Sequence, residues 1–425
     1  MTNHSAAKEL RGGWALILTA NLGLSLQTVS SYSLGLMMDP IGDEFGWGRA
    51  QISMASLIPA ILMITLSPFV GAIIDRYGTR RLAIPSIALT GVSLALISLV
   101  NGSLMLWLAL WFVYGVVSLG TKITVWTTAI SGSFDAARGM ALGLAVAGAA
   151  VTQVVAPPLT QVLVDNYGWR FAYVGLGIGW AIPPFLLALF FLRDARDRER
   201  LTPQSGTSLP DSPPPPAPVP LTGLSGREAL RSVALFRIAV STLLTMFIGT
   251  AILIHQVPIL TSAGIDRSNA AWFAGLAGVA AFVGKIMTGW MVDRWDASLV
   301  GAVFLLAPAL GYWFILVSPH SFMAILIGMI IIGYTTGAKL QVCAYLTAQH
   351  AGMKNYGKIF GVMTSMIGIG GGLGSIVAGG VFDHYGHYEP ILVTGIIFSF
   401  VCSALIFRLG RYPEWNLEAT EAGQP

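Results

Sequence analysis

The sequence predicts an all-α membrane protein of twelve transmembrane helices arranged as two homologous six-helix halves, and three observations lead there. The 425 residues are 55% hydrophobic and only 10% charged, with a mean hydropathy of +0.72, which excludes an ordinary soluble domain. Twelve apolar stretches of roughly 20 residues run along the chain, each able to cross about 30 Å of hydrocarbon as a helix. Gly71-Ala-Ile-Ile-Asp75-Arg76 returns as Gly289-Trp-Met-Val-Asp293-Arg294, 218 residues later. The same offset links Asp165-Asn-Tyr167-Gly168 to Asp383-His-Tyr385-Gly386, and Gly139 and Gly143 to Gly357 and Gly361. A repeat this long is a duplicated half and not a solenoid unit.

In chain order, residues 1–12 read as a polar N-terminal tail, and because no separate signal-peptide pattern precedes it the first span is expected to be retained. The N-terminal half, 13–192, holds spans at 13–38, 50–74, 82–100, 104–130, 138–163 and 170–192. A linker at 193–231 opens on alternating Arg and acidic residues and continues through Pro213 to Pro216, Pro218 and Pro220. Proline at this density blocks regular helix, so the segment reads as a tether, with a docking site for a partner as the rival reading. The C-terminal half, 232–410, holds spans at 234–262, 268–291, 298–317, 321–347, 357–381 and 389–408, and 411–425 form a tail. Cys343 and Cys402 sit in separate spans and predict neither a disulfide framework nor a metal site.

Cations set the expected orientation. With the N-terminus cytoplasmic, eighteen of the 24 Lys and Arg fall in cytoplasmic loops and tails and three (Arg49, Arg170, Arg267) outside. The positive-inside rule therefore puts both termini in the cytoplasm of a multi-pass protein, expected in the plasma or inner membrane. The net charge of +4 is accounted for by topology and implies no nucleic-acid partner.

Between the second and third spans the pattern Gly71-x-x-x-Asp75-Arg76-x-Gly78-x-Arg80-Arg81, with its degenerate copy ending in Asp293-Arg294, resembles the signature of the major facilitator superfamily. A small residue at Gly71 lets helices approach, and a charged pair at a helix end can engage a neighbouring terminus. The resemblance implies a conformational latch built from Gly71, Asp75, Arg76, Gly78, Arg80, Asp293 and Arg294. Within that superfamily the chain is most similar to the monocarboxylate transporter and oxalate/formate antiporter branch, through Arg138-Gly139-Met-Ala141-Leu-Gly143, Gly168-Trp169-Arg170, His255-Gln-Val-Pro258 and Asn355-Tyr356-Gly357.

The three cations left over, Lys122, Lys285 and Lys339, all fall within apolar spans, while the acidic residues can be placed in loops, tails or span ends. Charge inside a membrane is costly and is kept for function, so a bound anion is the expected counter-charge. Lys285 precedes Asp293 by eight residues, about 12 Å of helix, which puts it near mid-bilayer. Branch members carry arginine at the matching position to hold the substrate carboxylate, and lysine keeps the charge but loses the bidentate fork. Snorkelling to the interface is the rival reading for each lysine. Lys339 maps through the repeat onto Thr121, one residue from Lys122, so the two lie about 100° apart around their helices. Gln27, Ser31 and Tyr32 on the first span, Trp126 one turn from Lys122, and Tyr334 before Lys339 complete the expected substrate pocket. His255 reads as a gate or proton site, or else as a histidine that bonds across helices.

These readings predict a transporter that moves a small organic anion, a monocarboxylate, by alternating access with proton symport. It is expected to work as a monomer in the lipid bilayer with no cofactor and no metal. Exchange of dicarboxylates or aromatic acids and a receptor that senses without transport are the alternatives. A drug/proton antiporter would show an acid inside a span, and an intramembrane enzyme would need a catalytic cluster; neither pattern is found.

Overall fold

The computed structural model describes residues 2–131, 133–134, 137–192, 223–292, 294–319, 321–352 and 354–410. The proline-rich part of the linker, the C-terminal tail beyond Gly410 and Asp293 lie outside these. The first half runs α1 (Thr2–Phe45), α2 (Arg49–Tyr77), α3 (Thr79–Leu96), α4 (Leu104–Val117), α5 (Ile123–Ser131), α6 (Arg138–Val146), α7 (Gly148–Val174) and α8 (Trp180–Phe191). The second runs α9 (Gly226–Arg231), α10 (Val233–Ser262), α11 (Arg267–Val292), α12 (Ala297–Leu306), α13 (Pro308–Val317), α14 (Phe322–Ala351), α15 (Tyr356–Tyr385) and α16 (Glu389–Ile406).

Local chemistry sets where these helices start and stop. Ser103, Ser232, Asp296 and Ser321 accept a backbone N–H three residues on, satisfying donors that a helix N-terminus leaves free. Gly78, Gly168 and Gly386 have φ of 85°, 80° and 75°, a backbone that L side chains avoid. Gly78 thus turns the chain between α2 and α3, which is why the motif holds glycine there. Gly168 and Gly386 are the repeat pair, and each marks the end of a long helix.

Ten stretches of the described chain are long and apolar enough to cross a membrane. The one from Met140 to Phe191 is 52 residues long, about 78 Å as helix, and Gly168 divides it into two crossings. With α1, a helix of 44 residues that is not among those ten, this makes twelve segments of membrane-spanning length, the number expected. Several are not single helices: the fourth is α4 and α5, the fifth α6 and the first part of α7, the ninth α12 and α13. The last break falls at Pro308, which has no N–H to give to the preceding turn.

The N-terminal half packs round Trp107, Trp126 and Phe134, and the C-terminal half round two clusters that include Phe273 and Tyr312 in one and Phe304 and Cys343 in the other. Between the halves α1 crosses α10, α2 packs along α15, and α7 packs along α11. Gly35 lies against the backbone of Ile254, and Gly278 against Gln153 and Val154, so backbones meet without intervening side chains. Leu36 is buried in the core of the C-terminal half and Ile254 in that of the N-terminal half. Their numbers differ by 218, so repeat-equivalent residues are exchanged.

Candidate functional site

The fourth crossing is interrupted at its middle. After α4 the chain makes a 3-10 turn over Ser118–Thr121, and Lys122 is extended (φ −70°, ψ 163°) before α5 begins at Ile123. Backbone groups freed in the membrane must find partners, and here Trp126 donates its indole N–H to the carbonyl of Thr121 at 2.9 Å. Its ring is fully buried against Gly23 of α1. Trp126 therefore supports the break that presents Lys122, and its polar atom is not free for a ligand. The positive end of the α5 dipole adds to the Lys122 charge beside it.

Lys122 faces a cavity of about 170 Å³ between the halves, lined from α1, α2, α4, α10 and α15. Its polar wall is Gln27, Ser30, Ser31, Ser56, Trp111, Tyr114, Lys122 and Thr250, with Ile254 and the glycines Gly368, Gly371 and Gly372 opposite. No Asp or Glu belongs to this lining. Ser30 and Tyr114 bond each other at 2.8 Å, and Ser56 bonds Ser375 across the halves at 2.7 Å. Trp111 Nε1 and Gln27 Oε1 are buried with no partner among the described residues, a state that costs free energy unless something fills it. Lys122 itself makes no ion pair there. The wall thus offers one full positive charge and a buried indole donor, a combination that attracts an anion.

Of the residues predicted from sequence, Gln27, Ser31 and Lys122 line this cavity, and five others sit elsewhere. Tyr32 donates to Gln153 Oε1 at 3.3 Å, Tyr334 points its hydroxyl at the Met287 sulfur and stacks on Phe304, and Trp126 is packed as described. Lys339 lines voids inside the C-terminal half. Lys285 is two turns beyond Gly278 on nearly the same helix face, the face that meets α7 of the other half, and about 10.5 Å nearer the Arg294 end. It is half-buried, unpaired among the described residues, and not part of the cavity lining.

At the opposite end of the bundle a polar network joins the halves. Arg49 pairs with Asp39 at 2.8 Å, stacks 3.6 Å from the Phe382 ring and donates to the Tyr388 hydroxyl at 2.7 Å. The carboxylate of Asp383 accepts the backbone N–H groups of Arg49 and Ala50, at 2.7 and 2.8 Å, where the positive end of α2 favours an anion. Tyr388 continues to His255 Nδ1 at 2.8 Å, and His255 Nε2 lies 2.9 Å from the carbonyl of Ser375 and 3.2 Å from Ser53. A carbonyl only accepts, so Nε2 carries the hydrogen and Nδ1 accepts from the tyrosine in the neutral ring. His255 therefore belongs to an inter-half closure and does not line the cavity.

The motif residues lie at the other end of α2 and α11. Arg80 donates to the carbonyl of Leu189 at 2.8 Å, which ties α3 to α8 within one half. Arg76 is exposed beside Tyr77, and Arg294 lies 4.3 Å over the Trp290 ring. The side chains of Gly71 and Asp75 lie outside the described residues. Nothing in the composition of the spans singles out Trp111, Tyr114, Ser56 or Thr250. Trp111 and Tyr114 do fall one turn apart on the span that carries Lys122, a spacing that would have pointed to them.

Comparison with known proteins agrees with this architecture. Residues 20–338 and 238–424 match the Major Facilitator Superfamily. Monocarboxylate transporter 13 of Bos taurus is 25% identical over 419 residues, covering 94% of this chain and 90% of its own. Monocarboxylate transporter 11 of Homo sapiens is 25% identical over 381 residues, 85% of this chain and 72% of its own. Among solved structures, a bacterial homolog to the human lysosomal transporter Spinster, in an inward-facing and unoccupied conformation, superposes with a TM-score of 0.70 at 17% identity over 94% of this chain and 98% of the other. On the repeat, the twelve crossings and this match along its length, the chain belongs to the major facilitator superfamily.

Proposed function

We propose that the protein is a secondary transporter of a small organic anion, a monocarboxylate, working as a monomer in the plasma or inner membrane by alternating access. The observation that carries this reading is Lys122, held on a broken span in the cavity between the halves with no carboxylate beside it. A substrate carboxylate supplies the missing charge and accepts from the ammonium and from Trp111 Nε1. The similarity to proteins named monocarboxylate transporters supports the same substrate class.

With both termini cytoplasmic, the Arg49 network closes the extracellular end, and Lys285, on the face toward the other half, meets the anion nearer the cytoplasm. Asp75 and Arg76 act as the latch of that end, and the proline-rich linker is a tether. Proton symport is the coupling, with His255 or the substrate as carrier. Exchange is the second reading, favoured by the lack of any carboxylate in the cavity lining that would carry a proton. The test is uptake of labelled monocarboxylates into proteoliposomes. Uptake stimulated by an inward proton gradient supports symport; uptake indifferent to the gradient but driven by anion loaded on the opposite side supports exchange; saturable binding with no uptake leaves only a receptor.

A further inference from the structure

Lys339 stands apart from the inter-half cavity. It lines a void of about 30 Å³ walled by residues of α10, α12, α13, α14 and α16, all within the C-terminal half. Its ammonium rests against Gly249, where any side chain would occupy the same space. Tyr312, 3% exposed, lines the same void. Neither the Lys339 ammonium nor the Tyr312 hydroxyl has a hydrogen-bond partner among the described residues, and no acid lines the void. The neighbouring hydroxyls of Thr335, Thr336 and Ser399 donate to carbonyls of their own helices, so they offer lone pairs only. Two unmatched donors, one of them charged, therefore face a space with room for one or two water-sized species.

We propose that this void is a binding site for a monatomic, halide-sized anion, separate from the substrate cavity. A halide accepts from the ammonium and the phenol together and cancels the charge; water would satisfy the phenol but leave the cation uncompensated. Room for one or two water-sized species favours a small ion over a larger organic acid. Gly249 borders this void and Thr250 borders the inter-half cavity, so α10 is a wall shared by both sites. A bound halide pins that wall against α14 and α13.

The test uses the full-length protein in detergent, with chloride or bromide replacing gluconate at constant ionic strength. A ligand that binds the folded state raises its melting temperature in a saturable way, and wild type is expected to show such a rise by about 100 mM halide. Tyr312→Phe and Lys339→Met should raise the half-saturating concentration about tenfold or more, as expected for losing a hydrogen bond to an ion. Lys122→Ala should keep the wild-type response. No halide response in wild type overturns the site, as does an unchanged response in the variants. Loss of the response in Lys122→Ala would move the halide to the substrate cavity and overturn it too. Should Lys339→Met fail to fold, the conservative Tyr312→Phe decides alone.

Discussion

Arg49 and Arg267, 218 residues apart, each open the second crossing of their half, and each reaches across to the other half. Arg49 bonds Tyr388, while Arg267 donates to the carbonyl of Leu36. Repeat symmetry therefore builds this end of the bundle, but the chemistry has diverged: one arginine enters a network with Asp39, Tyr388 and His255, and the other holds a main-chain oxygen. One arm of this end thus includes an ion pair and a histidine, and the other rests on a main-chain oxygen.

Lys122→Ala is expected to leave the folded protein in the membrane and to lower anion binding about tenfold to a hundredfold, the worth of a hydrogen bond to a charge. Lys285→Ala should likewise lose most binding, and Lys285→Arg should retain it with an altered preference among carboxylates. Ligand-dependent melting shifts and uptake measure both, and wild-type affinity in either alanine variant would remove that lysine from the site.

Removing the hydroxyl in Tyr388→Phe takes an acceptor from Arg49 and a donor from His255, and should weaken the closed end by about 1–3 kcal/mol. Acid should act the same way, because a proton on Nδ1 turns an acceptor into a donor facing the same hydroxyl, beside the Arg49 cation. His255→Gln is expected to reduce, not abolish, the stimulation of uptake by an inward proton gradient. An unaltered gradient response would separate His255 from coupling.

At the same end, Glu44 accepts from Trp169 at 2.8 Å and from Arg170 at 2.7 Å. The hydrogen bonds from Arg170 and Trp169 hold its carboxyl below the usual range. A depressed carboxylate stabilises the fold above its unfolded pKa, and that contribution is lost as pH falls through the folded one. Because the pair is largely exposed, the effect should be about 0.2–1 kcal/mol. Glu44→Gln should lower the melting temperature slightly at neutral pH, leave it almost unchanged in strong acid, and so flatten the acid side of the profile.

Asp75→Asn is expected to slow transport more than it weakens equilibrium binding, since α2 carries this residue far from the cavity. Parallel loss of both in uptake and binding assays would contradict the latch reading.

Much of the architecture was written in spacing. The repeat gave two halves, and its glycines at 168 and 386 mark real helix ends. That Lys122 and Lys339 are not exact repeat partners was legible too, and in the structure one lines the inter-half cavity and the other voids inside the C-terminal half. Trp126 was misplaced by helical arithmetic, because an uninterrupted helix was assumed where the chain is extended at Lys122. No pattern local to the fourth span marks that break. The Arg49 network was invisible for another reason: it joins residues more than 300 positions apart, and hydropathy reads each of them only as loop or span.

The exchange of Leu36 and Ile254 also bears on how the chain is made. Neither half owns a complete core, since each fills a socket in the other with a side chain of its own. During synthesis the N-terminal half enters the membrane first, and its socket stays empty until α10 arrives behind the linker. An unfilled apolar site costs a folded unit on the order of 2–5 kcal/mol, so the first half waits in a loosened state. The second half supplies the missing side chain when α10 docks.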